Sequence, residues 1–268
     1  MNPLEVLRYL ARLNDDDPRQ VATAALDSLS GLADNPEMLY VAIKRLLLAH
    51  PRNGLLWMVS NRLLLSWDRR GEARMLRGQI DDDCTIDALR DELLGGTVIF
   101  ALELDRAYAE VGAKGRGDYA NLGRRREHRG VGGSMIYFDS FKSATQLLVQ
   151  ASPLESSALL LEPWSFSGGC AVIPRESVAL AQRALGFGMR VICRVPWGFE
   201  IPLRLFEAQV AVLGRASMDG GRTSDAEVTD LVGLPTFRAN PELVTFLVGS
   251  GSTEAEDNVA QELLAIDG

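Results

Sequence analysis

The segment richest in potential chemistry is Glu162-Pro163-Trp164-Ser165-Phe166-Ser167-Gly168-Gly169, which leaves the apolar run Leu159-Leu160-Leu161 and leads to a helix near Glu176. Gly168 and Gly169 carry no side chain, so backbone amides there can approach a ligand closely. Arg175 and Ser177 fall beside the start of the following helix, where free N–H groups and the helix dipole attract a phosphate. A plain strand-to-helix loop that packs Trp164 and Phe166 accounts for the same residues equally well.

Other candidates are weaker. Cys170 follows the two glycines in this ligand-facing loop, the place for a reactive thiolate, but a free cysteine is more often a small buried hydrophobe. Cys193 sits in an apolar strand and reads as core. Cys84 follows an acidic run that hinders thiolate formation. Nothing follows the G-x-S-x-G pattern of a serine nucleophile. Gly112-x-x-Gly115-x-Gly117 has the glycines of a dinucleotide loop without the strand that must precede them. The run Arg124-Arg125-Arg126-Glu127-His128-Arg129 has forks suited to phosphate, yet such charge runs usually lie in solvated loops, and a loop is expected here. Three widely spaced cysteines and two histidines support neither a zinc site nor a disulfide framework. No metal and no cofactor are expected.

These residues must be positioned by a chain of 268 residues with 47% hydrophobic and 24% charged side chains, an ordinary globular balance. A formal net charge of -8 argues against a general nucleic-acid binder, which needs clustered cations. No apolar stretch is long enough to span a bilayer, and Glu5 and Arg8 interrupt any leader-like run, so a cytoplasmic protein is expected.

Residues 1–94 read as helical. Leu4, Leu7, Leu10 and Leu13 form a stripe ended by Asp15-Asp16-Asp17-Pro18, and Asn35-Pro36-Glu37 is a strong helix start. Further helices are expected over Val21–Leu32, Leu55–Trp67, Arg69–Ile80 and Thr85–Leu94. Over 95–268 short apolar runs alternate with helices. The runs are Thr97–Leu102, Ser134–Phe138, Ala158–Leu161, Arg190–Val195 and Gln209–Leu213; the helices are Ser140–Gln150, Glu176–Leu185 and Ala255–Ile266. That order is the pattern of an α/β fold: an N-terminal helical domain followed by a Rossmann-like, mostly parallel sheet domain. Ligands of such sheets bind beyond the carboxyl ends of the strands.

The order of Leu159–Gly169, Glu176–Leu185, Arg190–Val195 and Trp197-Gly198-Phe199 resembles the family of the alpha, beta and delta subunits of translation initiation factor 2B. This family includes ribose-1,5-bisphosphate and methylthioribose-1-phosphate isomerases. His50-Pro51 with Leu55-Leu56-Trp57 and Asn61-Arg62 is similar to its P-x-x-x-P-L-W-N segment, and Asn240-Pro241-Glu242-Leu243-Val244-Thr245 to its P-P-x-L-I/V-T segment. The resemblance implies a homodimer and a pocket for a phosphorylated sugar or nucleotide between the two domains. In the isomerases a cysteine after the first Rossmann strand and an aspartate in a G-A-D turn shuttle the proton. Here Ala101-Leu102-Glu103-Leu104 and Glu162-Pro163-Trp164 stand at those places, the phosphate segment N-K-x-G-T is rewritten as Val172–Ser177, and the E-S-R-P stretch is missing, with Arg124–Arg129 in its region. The expectation is therefore a diverged, non-catalytic relative that binds a phosphorylated metabolite or a protein partner. The alternative is a sugar-phosphate aldose-ketose isomerase with an acid/base pair drawn from Glu162, Glu103, Cys170 and Asp139. A third possibility is a scaffold whose crevice is filled by Trp164, Phe166 and Trp197.

Overall fold

Helix starts in the first part of the chain are set by side chains that accept a hydrogen bond from the first free backbone N–H groups. Asp17 does so for α1's successor α2 (Pro18–Ser30), Asn35 for α3 (Pro36–Ala49), Asn53 for α4 (Gly54–Leu65) and Asp68 for α5 (Arg69–Asp81), while α1 spans Pro3–Leu10. In α2 and α3 a proline follows the cap, where its missing N–H costs nothing. Asp17-Pro18 thus starts a helix as well as ending the preceding run. The computed structural model describes residues 3–13, 17–83, 85, 97–102, 126–130, 133–138, 157–173, 175–218, 236–238, 246–249 and 258–266.

The second part is built on a six-stranded sheet. Its strands are β1 (Thr97–Leu102), β2 (Arg126–Gly130), β3 (Gly133–Phe138), β4 (Ser157–Leu161), β7 (Arg190–Val195) and β9 (Phe246–Gly249), in the order β2-β3-β1-β4-β7-β9. All neighbours pair in parallel except β2 with β3. The strand order reverses between β1 and β4, the switch point beside which open α/β sheets bind ligands. A small antiparallel sheet is formed by β5 (Ser165–Ser167), β6 (Cys170–Val172) and β8 (Thr236–Arg238). Two long helices accompany the strands, α6 (Arg175–Gly186) and α7 (Leu203–Met218), and the short α8 spans Gln261–Leu264. Among the described residues no helix is long and apolar enough to cross a membrane.

Three expectations are corrected. Gln209–Leu213 lies within α7, not in a strand: Leu205, Phe206, Gln209, Val212 and Leu213 are the buried positions, a helical spacing that a five-residue window conceals. Arg126–Arg129 lies in the edge strand β2, antiparallel to β3, rather than in a loop; charged residues are a common protection for an exposed sheet edge. The last helix is confined to Gln261–Leu264, because Asn258–Ala260 is held against α4. The helices expected over Ser140–Gln150 and most of Thr85–Leu94, the boundary at 94/95, and the segments Gly112–Gly117, Arg124-Arg125 and Asn240–Thr245 lie outside the described residues.

One hydrophobic cluster joins the helices to the sheet, from Leu7 and Leu26 through the fully buried Trp57 to Leu159, Val191 and Leu263. Trp57 satisfies its indole by donating Nε1–H to the Pro51 carbonyl at 3.2 Å. Asn61 is the polar rivet of this core: its Nδ2 donates to the Asn258 carbonyl at 3.0 Å and its Oδ1 accepts from the Ala260 N–H at 2.8 Å. Asn61→Ala strands that buried amide, so it is expected to cost about 1–3 kcal/mol and to expose the C-terminal segment to protease. Denaturant titration with limited proteolysis checks this, and an unchanged midpoint with a protected C-terminus would refute it.

Candidate functional site

The functional geometry centres on an arginine inside the parallel sheet. Leu161 pairs with Cys193, so Glu162, the residue after β4, comes level with Arg194 near the end of β7. The Arg194 side chain is only 1% exposed. A cation with so little water must find anions, because its desolvation is otherwise prohibitive. Among the described residues it finds two, on different parts of the chain. Its terminal nitrogens bind the Glu162 carboxylate and, at 3.1 Å, Asp83 Oδ2. Its Nε–H donates to Thr85 Oγ1 at 2.8 Å.

Asp83 is itself fully buried and accepts from several directions. Arg19 of α2 reaches its Oδ2 at 2.5 Å, and the backbone N–H groups of Thr85 and Trp197 each approach Oδ1 at 3.3 Å. The Thr85 hydroxyl lies 2.9 Å from the same oxygen and so links Arg194 to Asp83. Two guanidinium groups and two carboxylates thus meet at the carboxyl ends of β4 and β7, Arg19 coming from α2 and Asp83 from the segment just after α5.

The helical part also closes over the loop after β4. The Gly54 N–H donates to the Trp164 carbonyl at 2.9 Å, and the Arg52 guanidinium lies 4.6 Å from the centroid of the Trp164 ring. The approach requires glycine: a Cβ on Gly54 would sit 2.4 Å from the Trp164 oxygen.

The sequence-derived candidates are dispersed over this region. Glu162 is at its centre, bound to Arg194. Gly168 and Gly169 form the two-residue turn of the β5–β6 hairpin, with φ of 54° and 79°. Positive φ at both positions suits the turn that joins twisted strands, so the hairpin by itself requires these glycines. Cys170 stands opposite Ser167 next to that turn, whereas Glu162 precedes the hairpin base. Arg175 opens α6, its side chain falling outside the described part of the structure. Ser177, in the first turn of α6, is 2% exposed, and its Oγ has no hydrogen-bond partner among the described residues. Glu103, Asp139 and Cys84 lie outside the described residues. Among the described residues no cluster of histidine, cysteine, aspartate and glutamate is arranged to hold a metal.

Burial pushes the Cys193 thiol up to about 12, with the Glu162 charge adding to the effect, so it stays protonated and unreactive. In the loop after β7, Glu200 is raised above the usual carboxylate range by its own partial burial.

Arg194, Asp83, Thr85 and Arg19 were not legible as a site. One signal was present. Arg190-Val191-Ile192-Cys193-Arg194-Val195 places a cation within a strand otherwise fit for complete burial, and such a residue demands a buried anion.

Two outcomes test this geometry. Arg194→Met leaves Glu162 and Asp83 short of a cation and is expected to destabilise the fold by about 3–5 kcal/mol. Adding Glu162→Gln should then cost less than it does alone, a coupling of at least about 0.5 kcal/mol in a double-mutant cycle; strict additivity would dissolve the pair. Cys193 should resist iodoacetamide in the native protein at about pH 8 and react once unfolded. Since its folded pKa is raised from 9.0 to about 12, the stability it contributes is present below pH 9 and lost as pH climbs toward 12.

No family model matches the sequence, and no curated protein matches it. Solved structures do. The delta subunit of eIF2B from Chaetomium thermophilum superposes with a TM-score of 0.58 at 12% identity, over 92% of this chain and 96% of that one. Its beta subunit gives 0.56 at 12% identity, over 98% and 90%. A chain of the tetrameric eIF2B-beta2-delta2 complex from C. thermophilum gives 0.55 at 12% identity, over 98% and 94%. Nearly the whole chain therefore adopts the fold of the eIF2B beta and delta subunits, in agreement with the resemblance carried by its motifs.

Proposed function

We propose that this chain is a non-catalytic binding protein on the eIF2B-subunit fold, taking a phosphorylated sugar or nucleotide at the carboxyl ends of the central strands. The observation that carries the proposal is the state of Glu162. Glu162, the candidate acid that lies among the described residues, is bound to a buried guanidinium that also holds Asp83. To act as a base it must first give up its ion pair with the buried Arg194. The isomerase alternative has no comparable support.

Ser177 supports the ligand. A buried hydroxyl without a partner is costly in a free protein and becomes favourable when a phosphate oxygen arrives at the helix start. As in the resemblance, a homodimer is the proposed assembly and the cytoplasm the proposed location.

The test is thermal stability against sugar mono- and bisphosphates and nucleoside monophosphates. A binding compound at about 100 times its Kd should add roughly 2.7 kcal/mol. Ser177→Ala should leave the free protein as stable or slightly more so, since it removes an unpaired hydroxyl, while reducing the ligand-induced shift. The bound compound should not be turned over. Silence across the panel removes the ligand, and turnover abolished by Glu162→Gln removes the non-catalytic claim.

A further inference from the structure

An open groove of about 520 Å³ runs between α1 and α3, on the helical part of the chain. Helix periodicity supplies its floor. Leu4, Leu7 and Ala11 come from one side and Met38, Val41 and Ala42 from the other, at spacings of three and four. Leu7 and Ala42 are buried beneath it, whereas Met38 and Val41 remain 39% and 47% exposed. Leu48, also exposed, prolongs the α3 stripe by one further turn past Arg45. The stripe has the three-and-four spacing by which a groove reads the apolar face of a partner helix.

The groove is charged as well as apolar. Among the described residues three arginines line it, Arg8, Arg12 and Arg45, against one acid, Glu37. Glu37 has a local role in the first turn of α3, where the helix dipole favours an anion. The three arginine side chains have no ion pair or hydrogen bond among the described residues. They gather toward the ends where the two helices converge, for His50 at the end of α3 hydrogen-bonds the Leu10 carbonyl at 2.7 Å. A cationic rim on a chain of net charge -8 is a local inversion of the surface. It borders the open groove between the two helices.

We propose that this groove docks an acidic amphipathic helix of another protein, its apolar side chains seated between α1 and α3 and its carboxylates on Arg8, Arg12 and Arg45. Such a segment carries apolar anchors three and four residues apart, matching the stripe it covers, and acidic flanks matching the rim. This inference is independent of any ligand at the strand ends.

The test uses the full chain and a fluorescein-labelled synthetic peptide of about four helical turns, with leucine anchors and glutamate flanks. Fluorescence anisotropy should show it binding at least about tenfold tighter than the same peptide with lysine for glutamate. The difference should shrink as salt rises from about 50 to about 300 mM. Val41→Glu should abolish binding, and Arg12→Glu with Arg45→Glu should reverse the preference toward the lysine peptide, each variant keeping the circular dichroism and Tm of the parent chain. Equal binding of both peptides, or no binding of either, overturns the proposal. So does acidic-peptide binding that survives these substitutions. Sedimentation showing that Val41→Glu turns an associated chain into a monomer would assign the groove to a second copy instead. Loss in the same variants of binding to phosphatidylserine vesicles, without peptide binding, would assign it to a membrane.

Discussion

A buried guanidinium at the carboxyl end of a parallel strand is the constraint around which the rest of the molecule is arranged. Arg194 cannot be hydrated where it stands, so every polar atom it presents needs a protein partner of suitable charge. Glu162 is supplied by the neighbouring strand, and Asp83 and Thr85 by the region beyond α5. Asp83, buried in turn, recruits Arg19 from α2. Segments far apart in the chain are thereby fixed at one point, at the carboxyl edge of the sheet. Apolar packing presses helices and sheet together without direction; the ion pairs define a register between them.

The same constraint bears on chemistry. The carboxyl edge beside the strand-order reversal is where sheets of this type offer a binding crevice. At this edge the carboxylate that sequence singled out is bound to Arg194, and the thiol on β7 is kept neutral by burial. The β4 loop is gripped from above by Gly54 and Arg52. The fold is that of the eIF2B beta and delta subunits, and on it Glu162 and Arg194 join the ends of β4 and β7; fold and reaction are separable properties.

Much of the architecture was legible because it is encoded locally. Caps such as Asn35 act on amides two or three residues away, and apolar stripes such as those of α3 and α4 repeat every turn. The parallel strands β1, β4 and β7 are short apolar runs, the pattern expected of strands in a covered parallel sheet. Misreadings arose where one composition serves two structures. Gln209–Leu213 is apolar enough for a strand yet belongs to a longer helical period, and Arg126–Arg129 is charged enough for a loop yet forms a sheet edge. Gly168-Gly169 satisfies a hairpin turn as readily as an approach to a ligand.

Sequence alone determined the helical first part, the alternation of strands and helices after it, and Glu162 as a carboxylate at a strand end. Tertiary structure decided what that carboxylate does. Arg194 is 32 residues from Glu162 and 111 from Asp83 along the chain. No spacing rule relates residues so distant, because their meeting depends on the pairing of β4 with β7 and on the packing of helices against the sheet. The groove between α1 and α3 shows the same division: its stripes are periodic within each helix, but only their convergence makes three separate arginines into one cationic rim.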